Sequence, residues 1–423
     1  MLAKKIIDSN IIFGAIIIIF IFSLFAITTH RGGKDLKVGL FGIEQVLQKK
    51  SPYDNPTDRD RPLFRYAPGF TILQYPFLLE SKMISPFKFK DITASIQAWY
   101  WVEILALLFS AMILLKIVPA PSRETSVRNL KIAFLLALPL IGYELANCQN
   151  KLIALFFMLL AIYLFEKDRH FLSAVSFAVA ITIYIPLVFF IVYFILRKKW
   201  WYIVHFAAAL ILVFIILPSL IFGFEFNNYL LKEWFMRTLK PFFLTISYES
   251  YIDLRASSQS LPSAVGRLLG FGRTWQFYYL IPPLFIHIII RICSTLILLF
   301  SFLAIWNQRK EISRGLGYAI FLILPLVLPQ YCLYYTWSWL FVIYFAVFNY
   351  ISYPEVPADK KRFLLIATTI LLLSSYSIAI RPLNRLSVLF LGTMWFWGVI
   401  VANLISERIE VTPVHKKRQN SLR

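Results

Sequence analysis

Half of the 22 acidic residues fall in two stretches that interrupt apolar runs: Asp35, Glu44, Asp54, Asp58, Asp60, Glu80 and Asp91 in the first, and Glu225, Glu233, Glu249 and Asp253 in the second. Carboxylates standing outside an apolar body are suited to removing a proton from a hydroxyl. Asp58-Arg59-Asp60 has the Asp-x-Asp spacing that holds a divalent cation in nucleotide-sugar enzymes. However, Arg59, Arg61 and Arg65 stand ready to neutralise the pair. The expectation is therefore that no metal is bound, with Asp58 and Asp60 as the alternative should one be.

Other signatures of catalysis are missing. The chain has no GxSxG, HExxH, Walker or GxGxxG pattern. Its five histidines are too few and too scattered to suggest a His-based metal site, and Cys148, Cys293 and Cys332 lack the spacing of a metal site or a disulfide framework. No cofactor is expected.

The elements that position these groups are membrane helices. Of 423 residues, 59% are hydrophobic and 15% charged, and long apolar runs recur from end to end. This composition indicates a polytopic membrane protein. The net charge of +21 comes from short Lys/Arg clusters between apolar runs, which argues for topogenic charge and against a nucleic-acid partner. Ile11 to Ile27 follows Lys4 and Lys5 with no small-x-small cleavage signal after it, so it is expected to be an uncleaved first helix.

Apolar segments lie near 11–29, 92–117, 130–145, 151–165, 171–196, 202–222, 281–305, 315–329, 331–350, 363–380 and 387–405. The basic clusters around Lys4, Arg123, Lys167, Arg197, Lys310, Lys360 and Lys416 alternate as cytoplasmic ends with one exception. Segment 171–196 has such a cluster at both ends, and Tyr184-Ile185-Pro186 lies at its middle. Proline removes a backbone donor and disfavours helix in the residue before it, so this segment is expected to bend and either cross twice as short arms or re-enter. The fold expected is all-α, a bundle of about 12 membrane segments counting the bent hairpin as two, with both termini inside. Two long external loops, 30–91 and 223–280, carry GLFGIEQVL and FNNYLLKEWFMRTL, whose spacing suits helices lying along the membrane surface.

Four passages, in order, carry a resemblance: GGKDLKVGLFGIEQVLQKKSPYD (32–54), FRYAPGFTILQYPF (64–77), the stretch 144–190 beginning ELANCQNK, and SSQSLPSAVGRLLG (257–270). Together they resemble glycosyltransferase family 87 over most of residues 11–350. The resemblance implies a single GT-C-like domain over 1–423 in the cytoplasmic (inner) membrane. Its partners would be a polyprenyl-phosphate-linked sugar, a lipid or glycan acceptor, and membrane lipids. The activity implied is transfer of mannose, or of another hexose or pentose, on the external face.

The same resemblance assigns roles to residues. Asp35, followed by Pro52-Tyr53-Asp54, matches the family's catalytic base, and its place just beyond the first helix would hold a carboxylate at fixed height over the membrane. Phe64 and Tyr66, braced by Pro68, match an aromatic-Tyr-x-Pro element, whose rings either pack on a sugar or anchor the interface. Asn147-Cys148-Gln149-Asn150 resembles Gly-Gln-x-Asn, so that Gln149 and Asn150 either bind sugar hydroxyls or cap helices. Gln259 and Ser260 match an Asn-Gln-Ser, and Arg267 matches a downstream Arg that either grips the donor phosphate or reaches lipid headgroups. Arg381 and Arg385 are further phosphate candidates. Tyr53, Tyr184 and Tyr334 complete the expected sugar and acceptor contacts.

Two departures stand out. Tyr184-Ile185-Pro186 occupies the place of Lys-x-Pro, so one expected cation for the lipid phosphate is missing. The later pattern ending His-Tyr appears as Tyr334-Tyr335, and a tyrosine is a poor proton shuttle at neutral pH. These departures leave the sugar open and admit an inactive scaffold of the same fold. A lipid-linked-sugar flippase or transporter is the reading from a different class, for which Glu103, an acid inside a span, is the relevant residue.

Overall fold

The computed structural model describes residues 10–31, 33–53, 64–78, 83–85, 88–89, 92–197, 200–240, 255–271, 278–279, 283–308, 310–329 and 332–420. Asp54, Asp58 and Asp60, and with them the Asp-x-Asp metal alternative, lie outside these residues.

Helix dominates because the apolar runs are long and their polar residues fall at the ends. Among the described residues, seven helices are long and apolar enough to cross a membrane: Asn10–Thr29, Thr93–Ile117, Arg123–Leu145, Trp201–Phe222, Phe285–Asn307, Ala358–Ala379 and Val388–Glu407. The protein is thus an all-helical membrane protein in its main architecture. The other apolar segments form shorter helices, Lys151–Glu166, His170–Ile183, Arg314–Val327 and Leu340–Ile351. Two antiparallel ladders of two or three residues, Met83–Ser85 with Lys88–Phe89 and Gly270–Phe271 with Tyr278–Tyr279, are the only paired strands among the described residues.

The elements used below are α1 (Asn10–Arg31), α2 (Lys34–Leu47), α3 (Pro68–Gln74), α4 (Thr93–Ile117), α5 (Arg123–Leu145), α6 (Lys151–Glu166), α7 (His170–Ile183), α8 (Phe224–Trp234) and α9 (Leu261–Leu269). The expected bend is present. Helix α7 stops at Tyr184, which is extended (φ −145°, ψ 93°), and Pro186 sits in a following 3₁₀ stretch, Ile185–Phe190.

The chain divides into two compact units, one of Met1–Leu114, Leu138–Val188 and Lys199–Thr245, the other of Leu115–Ala137, Phe189–Lys198 and Ile246–Arg423. In the first unit both expected loop helices form and are tied to protein as well as being amphipathic. Helix α2 buries Leu36, Leu40, Ile43 and Val46 to 1% exposure or less. Its Gly39 and Gly42 allow this close approach, since a Cβ at either would overlap the Gln74 side chain or the Phe64 ring. Val46, Tyr53, Phe64 and Ala67 from the first loop then share one apolar cluster with Phe222, Leu230 and Trp234. Trp234 Nε1 donates to the Arg65 carbonyl (3.2 Å), and Arg237 donates to the Tyr53 carbonyl (3.3 Å).

In the second unit the core is aromatic. Trp337 and Trp339 are fully buried, and Phe190 and Tyr193 pack edge-on or tilted against Phe321 at 5.2 and 5.7 Å. Asn129 crosses this interior to donate to Asn349 Oδ1 (2.9 Å) and Ser352 Oγ (3.0 Å), which fixes one end of the helix Leu340–Ile351 by polar contact.

Candidate active site

The sequence candidates form two groups, one in each unit. In the first unit, Gly33 takes a left-handed conformation (φ 50°) that turns the chain from α1 into α2. A Cβ there would stand 2.9 Å from Ile96 on α4 and 3.5 Å from Cys148 Sγ, so this turn is pressed against the link between α5 and α6. Asp35 follows in the first turn of α2, half-buried. A negative charge at that end of a helix is favoured by about 0.3–1 kcal/mol.

The link itself is tightly built. Thr28 Oγ1 donates to the Leu145 carbonyl (3.2 Å), Trp99 Nε1 to the Gln149 carbonyl (3.2 Å), and the Leu152 amide to Glu144 Oε1 (2.7 Å). Glu144 rather than Asn150 therefore supplies the side-chain cap of α6. Cys148 is in the left-handed region (φ 50°), a conformation that favours glycine.

Gln149 and Asn150 are both buried, and Gln149 Nε2 has no hydrogen-bond partner among the described residues. Asn150 Oδ1 accepts from Lys151 Nζ (2.9 Å). The Lys151 ammonium lies 4.5 Å from the Tyr184 ring centre and 5.7 Å from that of Tyr66. Three candidates, Tyr66, Asn150 and Tyr184, thus converge on a lysine that sequence reasoning did not single out. Its signal was a lone cation opening an otherwise apolar helix. Tyr53, by contrast, is buried beneath this group and donates its hydroxyl to the Tyr66 carbonyl (2.8 Å), so it braces the aromatic wall.

Acids surround the link as well. Glu103 is fully buried on α4 with neither oxygen hydrogen-bonded among the described residues, and Glu144 and Asp35 are close enough to act on it electrostatically. Burial first, then the Glu103 and Asp35 carboxylates, pushes the Cys148 thiol well above the ordinary thiol range. A thiol so raised stays protonated at neutral and mildly alkaline pH. Iodoacetamide at about pH 8 is expected to leave Cys148 unmodified in the folded protein and to label it once the chain is unfolded. Rapid labelling of the folded protein at Cys148 would contradict this placement. Among the described residues no three His, Cys, Asp or Glu side chains are grouped as a metal ion requires.

In the second unit, the segment preceding α9 is stitched to later chain. The Gln259 amide donates to the Cys332 carbonyl (2.8 Å), and its Nε2 donates to the carbonyls of Ala256 (2.8 Å) and Asn384 (3.0 Å). Ser260 and Ser258 share the hydroxyl of Ser263 at 3.0 and 2.7 Å, and Tyr334 donates to the Ala256 carbonyl (2.6 Å). Gln259, Ser260 and Tyr334 are thereby gathered, with their polar atoms engaged in holding the segment.

Arg267, half-buried on α9, donates to Ser387 Oγ through Nε (3.2 Å) and a terminal nitrogen (2.7 Å), and to the Arg255 carbonyl (2.8 Å). Its guanidinium is thus held rigidly next to the turn that carries the short helix Arg381–Arg385, on which Arg385 is exposed.

The sequence model described as Glycosyltransferase family 87 matches residues 64–329, more than half of the chain. That span includes Tyr66, Gln149, Asn150, Tyr184, Gln259, Ser260 and Arg267, whereas Asp35 and Tyr53 precede it and Tyr334 follows it. No curated protein and no solved structure matches the chain. Apolar helices long enough to cross a membrane and a family match over more than half of the chain, with members of both groups inside it, lead to one assignment: the chain belongs to glycosyltransferase family 87.

Proposed function

We propose that this membrane glycosyltransferase takes its sugar, mannose or another hexose or pentose, from a polyprenyl-phosphate donor and delivers it to a lipid or glycan hydroxyl on the external face of the cytoplasmic membrane. Asp35 removes the proton of the acceptor hydroxyl, the resulting oxygen bonds to the anomeric carbon, and the bond from that carbon to the phosphate oxygen breaks. Polyprenyl phosphate leaves with the bonding electrons. Arg267, with Arg381 and Arg385, stabilises phosphate charge, while Tyr66, Gln149, Asn150, Tyr184 and Tyr334 contact sugar or acceptor.

The observation that carries this reading is the position of Asp35. It stands in the first turn of a helix docked through Leu36, Leu40, Ile43 and Val46, one short turn from α1 and beside the Cys148-Gln149-Asn150 link. A general base needs that fixity, since proton transfer depends on hydrogen-bond reach. Counting the short apolar helices and the bent segment with the seven long ones gives about 12 membrane segments in one transferase domain, both termini cytoplasmic.

The test is sided. Sealed vesicles of known orientation, given a polyprenyl-phosphate-linked radiolabelled sugar and cell-envelope lipid extract as acceptor, are expected to form product on the face that was external in the cell. Product on the opposite face would overturn the topology. The flippase reading draws on Glu103, buried in mid-span with neither oxygen hydrogen-bonded among the described residues. Movement of intact donor across the bilayer without cleavage would replace the transferase reading by that one.

A further inference from the structure

Arg291 is an exposed cation within an apolar span. It lies in Phe285–Asn307, six residues in from Phe285, which is about 9 Å along the helix. Ile288, Ile289 and Ile290 precede it and Ile292 follows. Among the described residues it makes no hydrogen bond and no ion pair. An arginine facing hydrocarbon is costly, and such residues are kept where an anion or water meets them.

The two sides of this helix differ. Ile286, Ile297, Ser301 and Ala304 are buried, and Ser301 Oγ accepts from Trp397 Nε1 (2.9 Å), so that side is packed on protein. Phe285, Ile288, Ile292, Leu296 and Leu299, spaced by three and four residues, form an exposed apolar track on the other side. Arg291 borders this track next to Ile288 and Ile292. His287, four residues nearer the start of the span and so on the same flank, is close enough to feel the Arg291 charge.

The anion for Arg291 comes either from protein or from lipid. Beyond the first turn of each described span the carboxylates are Glu103, Glu144 and Glu407, and all three are buried, so a second copy of this chain presents none to this face. A phospholipid fits both features. Helical side chains lean toward the N-terminal end, so the Arg291 guanidinium rises toward the level of the headgroup phosphates. An acyl chain then continues along Ile292, Leu296 and Leu299. The planar fork of guanidinium donors matches phosphate oxygens.

We infer that Arg291, with His287 beside it, binds the phosphate of an anionic phospholipid whose acyl chain lies along this exposed track. Neither residue belongs to the two groups of candidate catalytic residues, and the inference is independent of the sugar donor.

The experiment reads lipid binding on the purified full-length protein in nonionic detergent. Phosphatidylglycerol is expected to raise the thermal midpoint and to stay bound in native mass spectrometry, with phosphatidylcholine and glycerol 1-phosphate giving much smaller effects. Arg291→Leu should keep the unliganded midpoint, since leucine suits a lipid-facing position, and should bind phosphatidylglycerol about tenfold more weakly, as loss of a charge-assisted hydrogen bond does. Arg291→Gln should show the same loss, and Arg291→Lys should keep most of the binding.

Undiminished phosphatidylglycerol binding in Arg291→Leu and Arg291→Gln would overturn the inference, as would equal binding of phosphatidylcholine. An equal shift from glycerol 1-phosphate would make this a site for free phosphate and overturn the lipid assignment. Loss of an oligomer in Arg291→Leu, read from the mass of the complex, would overturn it in favour of a protein carboxylate.

Discussion

Asp35→Asn protein is expected to fold and to bind lipid-linked sugar but to transfer it about 10²–10⁴-fold more slowly than wild type, the loss that follows removal of a positioned general base. Asparagine keeps the size and the hydrogen-bonding plane of the carboxyl group while removing its basicity, and Gly33 and the buried face of α2 hold the residue in place. The thermal midpoint should therefore be little changed, and the loss should appear in kcat rather than in donor KM. Asp35→Glu, which retains the carboxylate but shifts it by one methylene, should recover part of the rate. Full activity of Asp35→Asn would remove Asp35 from the base role and direct attention to Glu103, an acid within electrostatic reach of it.

Phe64→Ala should be the most damaging substitution for stability near the site, costing about 3–5 kcal/mol as large buried aromatics do on truncation to alanine. The ring is 3% exposed, lies against Gly42 of α2, and packs on Tyr53 and Tyr66 with ring centres 5.5 Å away in each case. Its removal leaves a cavity between the helix that carries Asp35 and the wall that carries Tyr66. Thermal unfolding in detergent measures the cost, and transfer assayed well below the lowered midpoint should still be reduced because α2 has lost its seat. An unchanged midpoint would mean that the cluster around Phe64 does not hold the loop helices together.

The long spans, the interruption at Tyr184-Ile185-Pro186 and the helices in both loops were legible because each rests on a local rule: apolar length, a proline without an amide hydrogen, and amphipathic spacing. Segments such as Lys151–Glu166 and Arg314–Val327 read as apolar runs, yet they are too short to cross by length alone. Packing inside protein, not exposure to lipid, fixes how far they extend.

What no local rule reveals is which polar atoms meet. Gln259 reads as a sugar ligand by motif, and its amide is bound to the carbonyls of Ala256 and Asn384, the latter far along the chain. Glu144 reads as one acid among apolar residues, and it caps α6 through the Leu152 amide. Lys151 stands out by no motif, and its cation lies against the rings of two tyrosines from distant segments. In each case long-range packing determines the partner, and the periodicity of a single segment carries no record of it.

The donor class is the property on which the proposed activity turns. Purified protein in lipid vesicles, given either a polyprenyl-phosphate-[14C]hexose or the corresponding nucleotide-[14C]hexose together with an envelope lipid acceptor, reads it directly. Label is expected to leave the lipid-linked donor with release of polyprenyl phosphate and to appear on the acceptor, with the nucleotide sugar left intact. Consumption of the nucleotide sugar with the lipid-linked donor untouched would contradict it.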